Sequence, residues 1–217
     1  GNFISEGSIH AELVNKIASL CNKNIYVVPR IYADELIHED RKYLSDFGKK
    51  INKRNITFYS GKYVVSNKIS QIFIDQISKL IPTDIIIWDN FYANDYCPRK
   101  LFVGPPIGRK GIVNLMINPT GLIETDLLIL DIIQATKNAD NPMKAWKAII
   151  LKHQVPKIFF KIKSYFEKPA FGKKPNLTLN LDKNENFECL DELLWKWKTP
   201  LSREWYPFLL GLKHDLQ

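Results

Sequence analysis

The chain has 217 residues, of which 45% are apolar and 25% are charged, and its 31 Lys and Arg against 23 Asp and Glu give a formal net charge of +8. An apolar content this high excludes intrinsic disorder, and the length allows one domain or one and a half with a sizeable core. Because no apolar run reaches the roughly 18 residues of a membrane span, and no signal sequence begins the chain, we expect a soluble protein with no membrane partner.

The first predicted element is a helix, followed by four short runs of β-branched or aromatic residues that alternate with longer amphipathic stretches. The helix is indicated by the stripe Ile9, Leu13, Ile17 and Leu20, with Ser8 as a possible N-cap. The four runs begin 31, 29 and 28 residues apart and are predicted to be strands: Asn24–Val28, Asn55–Tyr59, Asp84–Trp88 and Ile112–Ile117. Helical stripes follow the first, second and fourth of these runs, respectively: Tyr43, Leu44, Phe47 and Ile51; Ile69, Phe73, Ile77 and Leu80; Leu127, Leu128, Leu130, Asp131 and Ile132.

This spacing is typical of the βα units of a parallel sheet, and a (β/α)₈ barrel of about 250 residues uses about 31 residues for each unit. Four units predict an α/β fold that corresponds to the C-terminal half of a (β/α)₈ TIM-type barrel, over residues 1–140. A doubly wound open sheet also fits four such units. The barrel is favoured because polar and small residues follow each strand, as the rim of a barrel site requires.

Residues 141–217 predict an α-helical appendage, because the strand pattern stops there. Four helices are predicted, with a loop at Lys168–Asn186: Met143–Lys152, Pro156–Phe166, Cys189–Trp197 and Leu201–Leu212. The aromatic residues of the last two helices are interpreted as a core packed on the flank of the barrel, with a sugar-stacking or partner face as the alternative: Trp195, Trp197, Trp205, Tyr206 and Phe208.

The three cysteines are odd in number and far apart, so they indicate neither a disulfide framework nor a metal pair: Cys21, Cys97 and Cys189. We therefore expect a cytoplasmic location, no metal site and no cofactor. Lysines are scattered rather than concentrated, which predicts a solvated surface and no nucleic-acid partner. The first residue is Gly rather than Met, so the chain is also compatible with a fragment of a longer protein.

The densest polar segment runs from Trp88 to Tyr96 and is followed by an apolar stretch that contains Gly104, Pro105 and Pro106. A connection this long, with two carboxylates, two amides and four aromatic rings, is typical of a functional loop. Carboxylates and amides bind vicinal hydroxyls, and aromatic rings cover the apolar faces of a pyranose, so a carbohydrate fits this mixture. The alternative is structural, with Asp89 capping the loop and Asp95 beginning a helical turn.

A specific string of residues in this segment resembles a known family. Its parts are Trp88-Asp89-Asn90-x-x-Ala93-Asn94-Asp95-Tyr96, Leu101-Phe102-x-Gly104-Pro105, Gly108-Arg109 and Asn118-Pro119, preceded by Tyr59-x-Gly61, Pro29-x-x-Tyr32 and His10-Ala11. Together they resemble the β-N-acetylglucosaminidase domain of the O-GlcNAcase and hyaluronidase-like glycoside hydrolases, over roughly residues 8–135. The tail, with Arg203-Glu204-Trp205, is similar to that of the bacterial members. That family folds as a (β/α)₈ barrel.

The resemblance implies retaining, substrate-assisted hydrolysis of terminal N-acetylglucosamine, in which the acetamido oxygen of the substrate is the nucleophile and an Asp is the acid and base. It places Tyr32 on the acetamido oxygen, Trp88 in the acetamido pocket and Asn90 beside the acetamido group. It also assigns Asp95 to the 4- and 6-hydroxyls and Asn118 to the same hydroxyl side of the sugar. The structural alternative for each of the five is a helix cap, an Asx turn or a core position.

The chain departs from the family in one large respect, because the consecutive Asp-Asp pair that carries the acid/base function is absent from it. By this alignment the pair and the first four strands precede residue 1. Neither Asp34-Glu35 nor Asp89 is a convincing substitute. No catalytic residue is therefore assigned within the chain, which we expect to be inactive alone.

Three hypotheses follow. The first is the C-terminal half of a β-N-acetylglucosaminidase barrel, with a glycan or glycoprotein that carries N-acetylglucosamine as partner, and either the missing N-terminal half or a second copy beside it. The second is a non-catalytic carbohydrate-binding half-barrel or remnant. The third is a basic interaction domain without a sugar site.

Overall fold

A computed structural model describes residues 5–40, 42–95, 100–167, 169 and 183–217. A single sheet contains the described strands, in the order β1-β2-β3-β4, and every neighbouring pair is parallel. A doubly wound sheet reverses its strand order at a switch point, and these four strands show no reversal, which favours the barrel. Three strands lie within their predicted runs, and β3 extends one residue beyond its run. The strands are β1 Tyr26–Val27, β2 Ile56–Tyr59, β3 Asp84–Asp89 and β4 Leu115–Ile117.

Eight α-helices are found in the part of the chain that the structure describes: α1 Glu6–Cys21, α2 Tyr43–Lys50, α3 Gln71–Leu80, α4 Ile123–Thr136, α5 Pro142–Lys152, α6 Phe159–Ile162, α7 Lys183–Trp195 and α8 Pro200–Asp215. Two segments are 3₁₀ helices, Asp34–Glu39 and Lys163–Tyr165. The predicted helix Pro156–Phe166 is therefore partly wrong, because only its centre is α-helical. Helix α7 begins inside the predicted Lys168–Asn186 loop. Residues 168 and 170–182 of that loop lie outside the described residues, as do Tyr96 at the end of the polar segment and Cys97 after it.

Helix α1 forms as predicted, but two details of the prediction are wrong. Its N-cap is Ser5, whose Oγ accepts the N–H of Ser8 at 3.3 Å, so Ser8 lies inside the first turn. The residues it buries are small, Gly7, Ala11 and Val14. The predicted apolar stripe is exposed instead: Ile9 54%, Leu13 54%, Ile17 41% and Leu20 78%. The small residues allow close packing on α2, where a Cβ at Gly7 would lie 2.2 Å from the Tyr43 backbone oxygen.

The core of the sheet lies on one of its faces. In β3 the burial alternates along the strand, with Ile85 and Ile87 buried and their neighbours less so. These residues form one cluster with α1, α2 and α3, which includes the fully buried Tyr43 and Phe47 of the predicted second stripe. The stripe of α3 is confirmed at Ile77, which is buried. The alternation is that expected of strands covered by helices on one face.

The opposite face of the sheet carries a row of aromatic side chains. Tyr26 and Phe58 stack with ring centroids 5.9 Å apart, and Phe58 meets Trp88 edge-on at 6.0 Å. Tyr26 is 60% exposed, and the other two are half-buried. In a barrel this face is the interior, so aromatic residues here can serve both packing and ligand binding.

The chain divides into two compact units. The first comprises Gly1–Asn90 with Gly108–Ile117, and the second comprises Phe91–Ile107 with Asn118–Gln217. The first unit holds the four strands, and the second holds α4 to α8. The predicted boundary between residues 140 and 141 lies inside the second unit, and the division into 1–140 and 141–217 stays a prediction.

The second unit has its own aromatic core. Trp146 and Trp205 are fully buried, and Phe159 stands between them with ring centroids 6.5 and 5.5 Å away. Of the aromatic residues in the tail, Trp197 is buried like Trp205, as predicted for core residues, whereas Trp195 is 55% exposed. Helix α8 packs on α4, the helix that follows β4 in the chain.

Candidate active site

Two of the predicted site residues are in contact at the carboxyl ends of the strands. Tyr32 lies five residues beyond the end of β1, and Trp88 is the penultimate residue of β3. Their ring centroids are 6.2 Å apart with the planes at 34°, and both side chains are half-buried. The backbone oxygen of Tyr32 accepts the N–H of Ser60 at 2.7 Å, which ties the segment after β1 to the end of β2. Two aromatic rings at this angle can line a small pocket.

Asn90 is held directly beside this pair. Its Nδ2 donates to Ser60 Oγ at 3.2 Å and to the Val64 backbone oxygen at 2.9 Å. The residue is 8% exposed, so the plane of its amide is fixed from the protein side. Ser60 contacts both Tyr32 and Asn90, and the structure therefore brings Tyr32, Trp88 and Asn90 together at the same end of the sheet.

A buried ion pair fixes the segment that carries Trp88 and Asn90. Arg109 donates from Nε and Nη2 to the two carboxylate oxygens of Asp89, at 2.7 and 2.8 Å. The same guanidinium donates to the backbone oxygens of Asn67 and Ser66, each at 2.6 Å. The side chains of Arg109 and Asp89 are 5% and 3% exposed. Asp89 is thus structural, and Arg109 joins the strand end to the 66–67 loop.

The segments after β1 and β2 are also joined by a hydrogen-bonded carboxylate. Ala33 and Gly61 form an isolated parallel bridge, and Tyr59 Oη donates to Asp34 Oδ1 at 2.9 Å. Burial raises the pKa of Asp34 above its usual range, and burial with the adjacent carboxylate raises the pKa of Tyr59. Gly61 has a φ of 132°, and a Cβ there would lie 2.6 Å from Ser66 Oγ, so only glycine fits.

The segment that leads to Tyr32 is anchored from α1 and α2. The N–H of Arg30 donates to Tyr43 Oη at 2.8 Å, and His10 Nδ1 lies 2.6 Å from the same oxygen. Burial lowers the pKa of His10, which favours the neutral ring that accepts the Tyr43 hydroxyl proton. The motif residue His10 is therefore a support for the loop rather than a member of the site.

The other two predicted residues, Asp95 and Asn118, belong to the second unit. Asp95 has an exposed carboxylate and follows the buried Phe91 and Tyr92; the Tyr92 hydroxyl donates to the Gly104 backbone oxygen at 2.8 Å. Asn118 follows β4 directly and is half-buried. Asn118 therefore lies next to the end of a strand, and Asp95 lies in the polar segment.

Two supporting residues were missed by the sequence reasoning, Arg109 and Ser60. Arg109 is part of the Gly108-Arg109 motif, and the signal is its residue type, because arginine is the cation best suited to a buried pair with a carboxylate. Ser60 carried no signal beyond its place after a strand.

The model of the β-N-acetylglucosaminidase family matches residues 4–126, which is more than half of the chain. The chain belongs to the β-N-acetylglucosaminidase family. Its matched range contains all five predicted site residues, and the family places the chain among the glycoside hydrolases.

Relatives of this chain include the Protein O-GlcNAcase of Rattus norvegicus and that of Mus musculus. Each is 40% identical over 67 residues, which are 31% of this chain and 7% of the relative. The fold is similar to that of a mutant O-GlcNAc hydrolase from Thermobaculum terrenum, with a TM-score of 0.72 and 18% identity over 97% of this chain and 53% of that one. The chain thus spans about half of that hydrolase, and the predicted TIM-type half-barrel is confirmed.

Within the described ranges, no group of three or more His, Cys, Asp or Glu side chains has the arrangement of a metal site. In the same part of the chain, no helix has both the length and the apolar character needed to cross a membrane.

Proposed function

We propose that this chain supplies the sugar-binding rim of a retaining, substrate-assisted β-N-acetylglucosaminidase, whose Asp-Asp acid/base pair comes from a part of the protein outside these residues. The observation that carries the proposal is the contact of Tyr32 with Trp88 beside the fixed amide of Asn90, at the carboxyl ends of parallel strands. All three residues lie within the range that the family model matches. Sites of (β/α)₈ enzymes lie at this end of the strands.

In the proposed reaction the acetamido oxygen of the substrate attacks the anomeric carbon as the glycosidic bond breaks. A protonated oxazoline forms, which keeps the acetamido proton on nitrogen, and the leaving oxygen takes a proton from the acid. Water later attacks the anomeric carbon and opens the ring, with the same residue as base. Tyr32 donates a hydrogen bond to the acetamido oxygen, Trp88 lines the acetamido pocket and Asn90 orients the acetamido group. These three residues bind the reacting end of the sugar.

Asp95 and Asn118 are proposed to bind the other end of the sugar. The carboxylate of Asp95 would accept hydrogen bonds from the 4- and 6-hydroxyls, and Asn118 would contact the same side. An exposed carboxylate suits this task because each of its two oxygens can accept a hydrogen bond from a sugar hydroxyl. Because the named relatives are O-GlcNAcases, we propose a glycoprotein or other glycoconjugate with terminal N-acetylglucosamine as substrate.

The proposal is tested by hydrolysis of an aryl β-N-acetylglucosaminide by the complete polypeptide, followed by NMR of the sugar first released. We expect the β-anomer, because two displacements at the anomeric carbon retain configuration. First release of the α-anomer would contradict the mechanism. Binding of N-acetylglucosamine without hydrolysis would instead support the alternative of a non-catalytic carbohydrate-binding half-barrel, which the lack of an Asp-Asp pair in these 217 residues keeps open.

Replacing Tyr32 by Phe in the complete enzyme should lower kcat by roughly tenfold to a hundredfold and change KM little. The reason is that its hydroxyl meets an oxygen whose charge and position change as the oxazoline forms, so the hydrogen bond is stronger in the transition state. Steady-state kinetics with the aryl substrate measure both constants. Tyr63, which is 47% exposed, provides the matched control, and Tyr63→Phe should leave both unchanged. A change confined to KM would contradict the role.

We also propose that the apolar face of α1 and the edge strand β1 are covered by another half-barrel or by a second copy. In the described part of the chain, Leu13 and Ile17 are exposed and β1 pairs on one side only. Exposed strand edges and apolar faces recruit other chains. The isolated 217 residues should therefore self-associate in sedimentation experiments, and Leu13→Glu with Ile17→Glu should reduce the association, whereas Lys16→Glu should not. A wild-type monomer that unfolds cooperatively only at high temperature would contradict this proposal.

A further inference from the structure

Helix α4 begins close to the proposed sugar-binding residue Asn118 and lacks a cap of its own. Its N-cap residue is Leu122, whose side chain accepts no hydrogen bond from the first turn. The first four N–H groups of any helix need acceptors from elsewhere. The start of α4 therefore depends on another part of the chain.

The acceptor comes from α8. Glu204 Oε1 accepts the N–H of Glu124 at 2.9 Å, and Glu204 Oε2 accepts the N–H of Thr125 at 2.9 Å and its hydroxyl at 2.8 Å. Three donors thus converge on one carboxylate from a residue about 80 positions later in the chain. A negative charge at this end also stabilises the helix through its dipole, and bonds to an ionised acceptor are the stronger kind.

The neighbouring side chains hold Glu204 in this position. Trp205 Nε1 donates to Thr125 Oγ1 at 3.0 Å, so the threonine hydroxyl accepts from Trp205 and donates to Glu204. Both Trp205 and Thr125 are fully buried, and the Trp205 ring stacks on Phe166 with centroids 5.9 Å apart. The start of α4 is consequently anchored to the aromatic core of the second unit.

The turn between Asn118 and α4 is tied to the helix by Asp126. Its Oδ1 accepts the N–H and the hydroxyl of Thr120 at 2.9 and 2.7 Å, and its Oδ2 accepts the N–H of Gly121 at 3.1 Å. Thr120 Oγ1 in turn accepts the N–H of Leu122 at 3.1 Å. A displacement of the first turn of α4 would therefore move the residues that directly follow Asn118.

We propose that Glu204 is a positioning residue of the sugar site, which fixes the start of α4 and, through Asp126 and the Thr120 turn, the placement of Asn118. The inference rests on the proposed role of Asn118 in binding a sugar hydroxyl. It gives the C-terminal helix α8 a function in substrate binding besides its place in the core.

The experiment uses the complete enzyme and the Glu204→Gln variant, whose amide presents only one oxygen to the three donors. KM for the aryl β-N-acetylglucosaminide should rise roughly fivefold to tenfold with kcat nearly unchanged, because the affected contact is remote from the anomeric carbon and acts equally in ground and transition states. Hydrogen exchange at the amides of Glu124 and Thr125 should accelerate. Glu192→Gln on α7, which removes a carboxylate paired with Lys196 at 3.8 Å, should change neither KM nor the exchange rates.

A second substitution distinguishes positioning from general damage. Leu122→Ser places a hydroxyl at the N-cap, where it can accept the same amide hydrogens. In the Glu204→Gln background it should slow hydrogen exchange at Glu124 and Thr125 again and bring KM most of the way back to the wild-type value. The inference would be overturned if Glu204→Gln lowered kcat as well as raising KM. It would also be overturned if Leu122→Ser failed to lower KM again in the Glu204→Gln background.

Asn118→Ala separates this inference from the function on which it rests. If Asn118→Ala raises KM and Glu204→Gln does not, the positioning role of Glu204 is wrong and the sugar site stands. If Asn118→Ala leaves KM unchanged, the assignment of Asn118 fails and the inference fails with it. We expect both variants to raise KM, and the double variant to exceed Asn118→Ala only slightly, because the two substitutions act on one contact.

Discussion

Replacing Asp95 by Ala in the complete enzyme should lower kcat/KM by two orders of magnitude or more. The variant removes a carboxylate proposed to accept hydrogen bonds from two sugar hydroxyls, and bonds to a charged group contribute about 1.5–3 kcal/mol each. Since about 1.4 kcal/mol corresponds to a factor of ten, two such bonds account for the expected loss. Because the side chain is exposed, folding should be nearly unaffected. Hydrolysis of the aryl substrate and binding of an oxazoline mimic measure the effect.

Asp75→Ala provides the matched control for this variant. Asp75 is an exposed carboxylate on α3 that accepts a hydrogen bond from Gln71 at 2.8 Å within its own helix. Its replacement should leave kcat/KM unchanged. If Asp95→Ala also left hydrolysis and inhibitor binding unchanged, the assignment of Asp95 to the sugar hydroxyls would be wrong.

Replacing Arg109 by Ala should destabilise the protein by about 3–5 kcal/mol, because removal of one partner leaves the other charge buried without compensation. The Asp89 carboxylate loses both of its guanidinium bonds, and two backbone oxygens of the 66–67 loop lose a donor. Sugar binding should weaken as well, since Asp89 lies between Trp88 and Asn90. Urea denaturation of the complete protein measures the first effect and binding of the oxazoline mimic the second.

A surface pair is the control for the buried one. Lys50 lies 3.2 Å from Glu12, and both side chains are 54% exposed. Lys50→Ala should cost less than about 1 kcal/mol, as exposed ion pairs usually do. A loss of similar size for Arg109→Ala and Lys50→Ala would show that the Asp89 pair contributes little to the fold.

The strands and their parallel order were predictable because each βα unit has its own local pattern of apolar residues. This pattern recurs every 28 to 31 residues. The face of a helix was less predictable. The Ile9 to Leu20 stripe of α1 has the spacing of a buried face, yet the structure buries Gly7, Ala11 and Val14. Small residues give a weak hydrophobic signal, although they permit the closest approach of two helices.

The site was predictable where a motif carried it and unpredictable where its supports lie far apart in the chain. Tyr32 and Trp88 were identified together and are in contact. The Arg109 pair and the Glu204 cap join residues 20 and about 80 positions apart, and their partners depend on how the elements pack. Periodicity contains no information about such contacts, because it describes each element alone.

The most direct test of the account is a crystal structure of the complete protein with an oxazoline mimic bound. The account predicts that the acetamido-derived ring lies between Tyr32 and Trp88, next to Asn90, and that the sugar hydroxyls contact Asp95 and Asn118. A mimic bound elsewhere, or bound at the carboxyl ends of the strands without these five side chains, would contradict it.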